Sequence, residues 1–299
     1  MSAEARNRCG YAAIVGRPNV GKSTLLNRLV GQKLAITSHK AQTTRHSILG
    51  IHTLPGGQIV YVDTPGIHQR ADHAMNRYLN RTARNVLRDV DLLLFLVEAG
   101  RWTPEDEAVL GNARQAGVPV ILVINKVDLI KHKAELLPYI AELSGRMDFY
   151  QVIPISARRG KNLERLQQLV LAALPEGDNF FPEDQLTDRP ERFFAAELLR
   201  EQLTRRYAKE LPYALSVEIE TFEEEGELYR IGAVIWVERL GQKRILIGHQ
   251  GQAMKETSTQ ARLAMEEFFQ RRVFLSVWVR VKKSWSNDET ALSRLGYGD

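Results

Sequence analysis

Residues 16–23 read Gly-Arg-Pro-Asn-Val-Gly-Lys-Ser, a complete match to the pattern G-x-x-x-x-G-K-[S/T]. The match follows an apolar run at residues 11–15 and opens into a helical repeat of leucines, so it lies between a predicted strand and a predicted helix. In that setting the glycines let backbone N–H groups turn towards phosphate oxygens, and the helix N-terminus adds a partial positive charge. Lys22 is predicted to reach the β- and γ-phosphates, and the Ser23 hydroxyl is predicted to hold Mg²⁺. The motif therefore predicts a nucleoside triphosphate site. The predicted nucleotide contacts of this loop are Gly16, Arg17, Pro18, Asn19, Val20, Gly21, Lys22, Ser23 and Thr24.

The identity of the base follows from a second motif, Asn125-Lys126-Val127-Asp128, which ends the most apolar predicted strand of the chain. A carboxylate at Asp128 can accept two hydrogen bonds from the N1–H and the exocyclic amine of guanine. Adenine presents an acceptor nitrogen on the same edge. A site built around such a pattern rejects the wrong base because its own polar group would be left unpaired. The motif therefore predicts guanine.

Neighbouring residues complete the predicted base site. Asn125 is predicted to bond the N7 side of the ring and to tie the loops together, while the Lys126 stem lies over the purine face. A further segment, Ser156-Ala157-Arg158, follows the predicted strand at residues 152–155. It would supply a backbone N–H to the guanine oxygen, with Ser156 and Ala157 as the predicted contacts.

The segment Asp63-Thr64-Pro65-Gly66 closes another predicted strand, and all four residues are predicted nucleotide contacts. Asp63 would hold Mg²⁺ through water. The Gly66 N–H would bond the γ-phosphate, which makes this glycine a hinge that senses whether that phosphate is present. Upstream, Thr44 in a polar stretch is predicted to supply the second hydroxyl to Mg²⁺, and Thr43 is the near alternative.

These segments, in this order and spacing, resemble those of a Ras-like GTPase of the translation-factor class over residues 10–175. The resemblance implies a doubly wound, mostly parallel α/β sheet. It also implies that GTP or GDP binds with Mg²⁺ and that GTP is hydrolysed to GDP and phosphate. The catalytic residues expected on this basis are Lys22, Asn19 and Gly66.

One position departs from the Ras pattern. Ile67 stands where many such GTPases have a glutamine that orients the attacking water, and an isoleucine cannot do so. Either another group orients the water, or hydrolysis is slow without help. In related GTPases an asparagine at the position of Asn19 helps to hold a K⁺ ion beside the phosphates. The alternative is that Asn19 only caps the loop.

Length and composition fit an enzyme of about two domains. The chain has 299 residues, one cysteine and a formal net charge of +5. A single cysteine excludes a disulfide framework. The first eight residues have no apolar stretch of a signal peptide, and no apolar run reaches the length of a membrane span. We expect a monomer in the cytoplasm, with peripheral contact at the inner face of the cell membrane left open.

A domain boundary is predicted where prolines punctuate an acidic, turn-rich stretch. The predicted division is a GTPase domain at 1–175, a linker at 176–190 and a second domain at 191–299. In the second domain Thr187 or Asp188 would cap a helix over 191–209. The elements that follow are two strands at 215–222 and 228–237 joined by an acidic turn, a helix-loop-helix around 245–270 and a final strand at 273–281. On that last strand alternate valines are predicted to face the core, and Phe274 and Trp278 on the other face are predicted to be packed.

The α-β-β-α-α-β order, with Gly248-His249-Gln250-Gly251 between two helices, resembles a type II KH domain. This resemblance implies that the two glycines let the loop press against a nucleic-acid backbone and that the adjoining groove reads about four nucleotides. Residues 239–283 carry 10 basic against 3 acidic residues, a basic patch in a domain that is near neutral as a whole. The predicted RNA contacts are Lys243, Arg244, Ile247, Gly248, His249, Gln250, Gly251 and Lys255.

A GTPase fused to a C-terminal KH domain resembles the Era family of bacterial GTPases over nearly the whole chain. That family resemblance implies an assembly factor for the small ribosomal subunit that grips the single-stranded 3′ end of its ribosomal RNA. GTP-bound protein would engage RNA, and hydrolysis would release it. Two other readings are a GTPase that acts at membranes or in transport, and an RNA-binding module whose nucleotide site is a relic.

Overall fold

The computed structural model describes residues 7–37, 44–64, 74, 78–79, 81, 89–207, 215–288 and 292. The chain divides into two compact units. The first unit holds most of the described residues up to 188. The second holds those from 189 onward, together with residues 36, 37, 74 and 78.

The first unit is built on a six-stranded sheet. Its strands are β1 Arg8–Val15, β2 Ile48–Leu54, β3 Gly57–Asp63, β4 Leu92–Glu98, β5 Val120–Asn125 and β6 Gln151–Pro154. Its helices are α1 Lys22–Val30, α2 Pro104–Gln115, α3 Leu136–Ser144 and α4 Leu163–Ala173. The strand order is β2-β3-β1-β4-β5-β6; β2 is antiparallel to β3, and the other neighbours run parallel. The predicted mostly parallel α/β sheet is confirmed.

The parallel arrangement brings the carboxyl ends of five strands to one edge. β4 and β5 are interior strands and are buried almost throughout, as expected of a parallel sheet covered on both faces. The loop at residues 16–21 follows β1, Asp63 ends β3, Glu98 ends β4, Asn125 ends β5, and Ser156 comes soon after β6. Ligands of open α/β sheets bind at this edge.

The second unit is a three-stranded sheet with helices on one face. Its elements are α5 Glu191–Arg206, β7 Leu215–Glu225, β8 Leu228–Val237, α6 Leu240–Ile247, α7 Gln252–Phe269 and β9 Arg272–Val281. β8 lies in the middle, antiparallel to β7 and parallel to β9. Leu199, Ile235 and Met265, from α5, β8 and α7, are buried in one apolar core. The predicted α-β-β-α-α-β order is confirmed.

One helix cap and one helix start differ from the prediction. α5 begins at Glu191 as predicted, but its N-cap is Pro190, which has extended backbone, and no side chain caps the helix, so the predicted cap at Thr187 or Asp188 is wrong. α6 begins at Leu240, five residues earlier than predicted. The Gln242 side chain accepts hydrogen bonds from the N–H groups of Glu238 and Arg239, which stabilises this earlier start.

The outer face of the second sheet also differs from the prediction. Phe274 and Trp278 are 50% and 51% exposed, so the prediction that they are packed is wrong. α5 and α7 pack on the opposite face, against the alternate valines of β9. The Arg230 guanidinium lies 5.0 Å from the centre of the Phe274 ring. The acidic turn is shorter than predicted, because β7 continues to Glu225. Among the helices that the structure describes, none is both long and apolar enough to cross a membrane.

Candidate nucleotide and RNA sites

The loop at residues 16–21 has a backbone that only glycine adopts easily at two positions. Gly16 and Gly21 have φ angles of 154° and 107°. A Cβ on Gly16 would lie 2.5 Å from the Leu96 carbonyl oxygen, and one on Gly21 would collide with the side-chain amide of Asn125. Gly21 is the N-cap of α1, and no side chain occupies its cap position. The loop therefore presents backbone N–H groups at a helix N-terminus, the arrangement that binds phosphate.

The Lys22 side chain is hydrogen-bonded to the backbone of this loop. Its Nζ donates to the carbonyl oxygens of Gly16 at 2.8 Å and Arg17 at 3.0 Å, and the residue is 7% exposed. Burial lowers the pKa of Lys22 to about 8, against the opposing effect of the Asp63 charge. The ammonium is therefore charged at neutral pH and sits where the predicted β- and γ-phosphates would bind.

Three oxygen-bearing side chains meet beside Lys22. Ser23 Oγ lies 2.8 Å from Asp63 Oδ2 and 2.9 Å from Thr44 Oγ1, and Thr44 Oγ1 is 3.3 Å from the same carboxylate oxygen. The other oxygen, Asp63 Oδ1, is buried without a hydrogen-bond partner in the described chain. Burial raises the pKa of Asp63 to about 6.

This corner fits the donor set of Mg²⁺, which prefers oxygen ligands and keeps several waters. Two of the three ligands here are hydroxyls and only one is a carboxylate. Among the described residues there is no group of three or more His, Cys, Asp or Glu side chains that could hold a metal ion. The structure brings Thr44 into this cluster. The alternative, Thr43, lies outside the described residues.

The base loop is tied to the phosphate loop through Asn125. Its Nδ2 donates to the Val20 carbonyl at 2.8 Å, and its Oδ1 accepts from the Ala157 N–H at 3.0 Å. Asp128 Oδ1 accepts from Ser156 Oγ at 2.6 Å. Three loops that are distant in sequence therefore hold one another. The segment Ser156-Ala157-Arg158 is predicted to supply a backbone N–H to a guanine oxygen, and the Ala157 N–H of this segment is already engaged by Asn125 in this structure.

Several predicted residues have other surroundings. The Thr64 hydroxyl is buried and donates to the Ile14 carbonyl at 3.0 Å, so it connects the end of β3 to β1. Asn19 has a φ of 64° and an exposed side chain, with no hydrogen bond to any described residue. A capping bond for Asn19 is therefore absent from the described chain. The predictions for Pro65, Gly66 and Ile67 lie outside the described residues.

Sequence reasoning missed two carboxylates beside this site. The Arg17 side chain turns away from the loop interior and binds Glu98 and Asp106. The signal that could have found Glu98 is its place at the carboxyl end of a buried strand, where polar residues are costly unless they are used.

The Gly248–Gly251 turn in the second unit is also built on left-handed backbone. Gly248, Gln250 and Gly251 have φ angles of 71°, 49° and 78°. A Cβ on Gly248 would lie 2.5 Å from that of Ala253, whereas one on Gly251 would meet no atom within 4 Å. Gly251 is the N-cap of α7, and His249 and Gln250 are exposed. The turn therefore offers an open backbone surface.

The basic patch of the second unit divides into two parts. Several of its arginines are ion-paired: Arg262 to Glu266 at 2.7 Å, Arg280 to Glu220 at 2.6 Å, and Arg271 to Glu224. By contrast, the three basic side chains nearest the turn have no acidic partner in the described chain; these are Lys243, Arg244 and Lys255. Unpaired positive charge thus lies beside the turn, where it can attract phosphate. Four other basic residues of the patch also have no acidic partner in the described chain: Arg239, Arg272, Lys282 and Lys283.

Both parts of the chain are similar to known protein families. The family model described as 50S ribosome-binding GTPase matches residues 11–126, and the KH domain model matches residues 210–286. GTPase Era of Pseudomonas aeruginosa (strain LESB58) is 54% identical over 295 residues, covering 99% of this chain and 97% of the relative. GTPase Era of Pseudomonas savastanoi pv. phaseolicola is 53% identical over the full length of both.

Two solved structures share the whole fold, each with a TM-score of 0.94, 38% identity and coverage of 98% of this chain and 100% of the other. One is a variant of Aquifex aeolicus Era bound to GDP and AlF₄⁻. The other is Era in complex with MgGDPNP and nucleotides 1506–1542 of 16S ribosomal RNA.

The sheet, its loop edge and the Gly248–Gly251 turn define a Ras-like GTPase joined to a KH domain. With relatives this similar along its entire length, the chain belongs to the Era family of GTPases.

Proposed function

We propose that this chain is a GTP-hydrolysing switch that binds the 3′ end of small-subunit ribosomal RNA and assists assembly of the small ribosomal subunit. The observation that carries the proposal is that one chain combines a phosphate loop, an oxygen cluster and a base loop held together by hydrogen bonds with an open, basic KH turn. The Era complex with MgGDPNP and 16S nucleotides supports it, because that protein holds both ligands. The 50S description belongs to the family model alone, and the small-subunit proposal rests on the 16S complex.

At the nucleotide site the chain binds and orients. Ser23, Thr44 and Asp63 would hold Mg²⁺, which when bound neutralises charge on the β- and γ-phosphates. Lys22 would exchange its two carbonyl partners for phosphate oxygens and stabilise the charge of the transition state. Asp128 would read the guanine edge.

Water activation cannot come from Ile67, so we propose that Asn19 helps to hold K⁺ beside the phosphates. Its exposed amide, which no described residue bonds, is free to act as a ligand. Replacing Na⁺ by K⁺ should then raise turnover of the intact protein, and Asn19→Ala should remove that difference while GDP affinity stays near normal. Steady-state phosphate release in the two salts measures this. Equal rates would send the search to a residue supplied by a partner.

The decisive test of the whole function is RNA binding in two nucleotide states. Filter binding with a labelled single-stranded RNA that matches the 3′ end of small-subunit RNA should show tighter binding with a non-hydrolysable GTP analogue than with GDP. A scrambled RNA of equal length and charge is the matched control. No RNA affinity in either state would favour the membrane or transport reading, and RNA binding without GTP binding would favour the relic reading.

Other properties remain proposals. They are the domain division at 1–175, 176–190 and 191–299, a monomeric state, a cytoplasmic location and peripheral contact with the inner face of the cell membrane.

A further inference from the structure

The Arg17 side chain is held between two carboxylates. Its Nε lies 3.0 Å from Asp106 Oδ2, and its Nη2 lies 2.8 Å from Glu98 Oε2. The arginine side chain is 7% exposed and that of Asp106 is fully buried. A buried ion pair requires both partners, because removal of one leaves an uncompensated charge inside the protein. The guanidinium therefore anchors the phosphate loop to the end of β4 through Glu98 and to α2 through Asp106.

Asp106 is itself fixed by the helix that carries it. It is the N3 residue of α2, and its Oδ2 accepts from the N–H and the hydroxyl of Thr103, which caps the helix. One anchor of Arg17 is therefore part of a rigid helix start.

The second anchor, Glu98, is shared with the base loop. Lys126 Nζ lies 3.1 Å from the same Glu98 Oε2 atom that Arg17 contacts. Glu98 ends β4 and is in register with Asn125 on β5, and its backbone carbonyl accepts from the Tyr139 hydroxyl at 3.1 Å. Burial raises the pKa of Glu98, but the hydrogen bonds and charges of Arg17 and Lys126 outweigh it and hold the pKa below its ordinary value. The carboxylate is charged at neutral pH.

We propose that Glu98 is a positioning residue that couples the phosphate loop to the base loop by binding Arg17 and Lys126 through one oxygen. The proposal rests on the proposed function, because it assigns Lys126 to the purine face and residues 16–23 to the phosphates. One carboxylate oxygen then holds both halves of the site in the geometry that binds a guanine nucleotide. Within the described chain Glu98 forms no hydrogen bond or ion pair with Ser23, Thr44 or Asp63.

The coupling predicts a specific kinetic pattern. Glu98→Gln keeps the size of the side chain and an acceptor oxygen but removes the charge that both cations share. Release of fluorescently labelled GDP should become about tenfold faster. The KM for GTP should rise while kcat stays within twofold, because the lost interaction stabilises the bound substrate and the transition state equally. A merely structural role would lower the melting temperature without this separation of KM from kcat.

A double-mutant cycle with Lys126→Met tests the shared contact. Lys126→Met alone should also speed GDP release, and the double variant should release GDP at nearly the rate of the faster single variant, well below the product of the two single effects. The matched control is Glu107→Gln, which removes an exposed, ion-paired carboxylate on α2 next to Asp106 and should leave release unchanged.

Each outcome decides the matter. Wild-type release rates in Glu98→Gln, or a double variant whose effect is the product of the single effects, would overturn the coupling while leaving the proposed function intact. Absence of GDP binding by the wild-type chain would overturn the proposed function and the coupling with it.

Discussion

The two glycine loops of this protein share a local geometry and differ in their surroundings. Gly21 and Gly251 are both N-caps in left-handed conformation, each at the start of a helix that has no side-chain cap. Around Gly21 the space is filled by Asn125, whereas a Cβ on Gly251 would point into open space. Lys22 is buried beside the first loop, and Arg244 and Lys255 are exposed beside the second.

The difference matches what each loop would hold. A compact nucleotide is enclosed by groups that are fixed before it arrives, which reduces the entropy lost on binding. A nucleic-acid chain runs past a surface, so the backbone must be open and the charges accessible. The same kind of helix N-terminus is therefore suited to enclosing a nucleotide in the first unit and to docking a nucleic-acid chain in the second.

The largest expected loss of affinity at the enclosed nucleotide site is that of Asp128→Asn. The change replaces the carboxylate with a group suited to xanthine, so GTP affinity should fall by at least ~2–4 kcal/mol and XTP should become the preferred ligand. Competition of GTP and XTP against labelled GDP measures the shift. Unchanged affinity and discrimination would remove Asp128 from the base-reading role.

The comparison itself is tested by a matched pair, Gly21→Ala and Gly251→Ala. At Gly21 the new Cβ collides with the amide that ties the base loop, so GDP affinity should fall by about 2–3 kcal/mol through backbone strain and disruption of that tie. At Gly251 the methyl group meets open space, so the cost should be about 1 kcal/mol of folding stability with normal GDP affinity. Labelled-GDP titration and thermal melting of both variants measure this. Equal effects on GDP would show that burial does not distinguish the loops.

At the open loop, charge and bulk can be separated. Gly251→Asp and Gly251→Asn have nearly the same shape, and asparagine tolerates left-handed backbone. The aspartate should weaken binding of single-stranded RNA by about 1–2 kcal/mol through repulsion of phosphate, and the asparagine by much less. GTP binding should stay near normal in both. RNA affinity untouched in folded Gly251→Asp would count against the KH turn as the RNA site.

The smallest expected effect concerns individual charges. Lys243→Ala with Arg244→Ala should weaken RNA binding moderately and reduce its salt dependence, by a slope of ~0.7 for each phosphate of a single strand that the protein no longer neutralises. Arg262→Ala is the control, because Arg262 is already paired with Glu266. RNA titrations at several salt concentrations compare the two. A larger slope change in the control would mean that the paired part of the patch binds the RNA.

Local sequence patterns are sufficient to predict most of the fold and the main motifs. Strand ends, the 16–23 loop, the guanine motif and the six-element order of the second domain all depend on residues close together in the chain. Errors arise where a side chain sets a boundary that periodicity does not mark, as when Gln242 bonds the N–H groups of Glu238 and Arg239 and starts α6 early. The exposure of Phe274 and Trp278 also escapes prediction, since alternation along a strand identifies its core face but does not show whether the second face is covered.

By itself the sequence determined which chemistry this protein carries, because nucleotide motifs are short strings whose spacing follows directly from the geometry of a loop between a strand and a helix. The tertiary structure alone decided the distances within the predicted metal cluster and the ion pairs that sequence reasoning missed. Ser23, Thr44 and Asp63 become one oxygen cluster, and Glu98 meets both Arg17 and Lys126, only after strands far apart in the chain lie side by side. Ion pairs and metal sites depend on distances of a few ångströms in space. The separation of residues along the chain does not encode those distances.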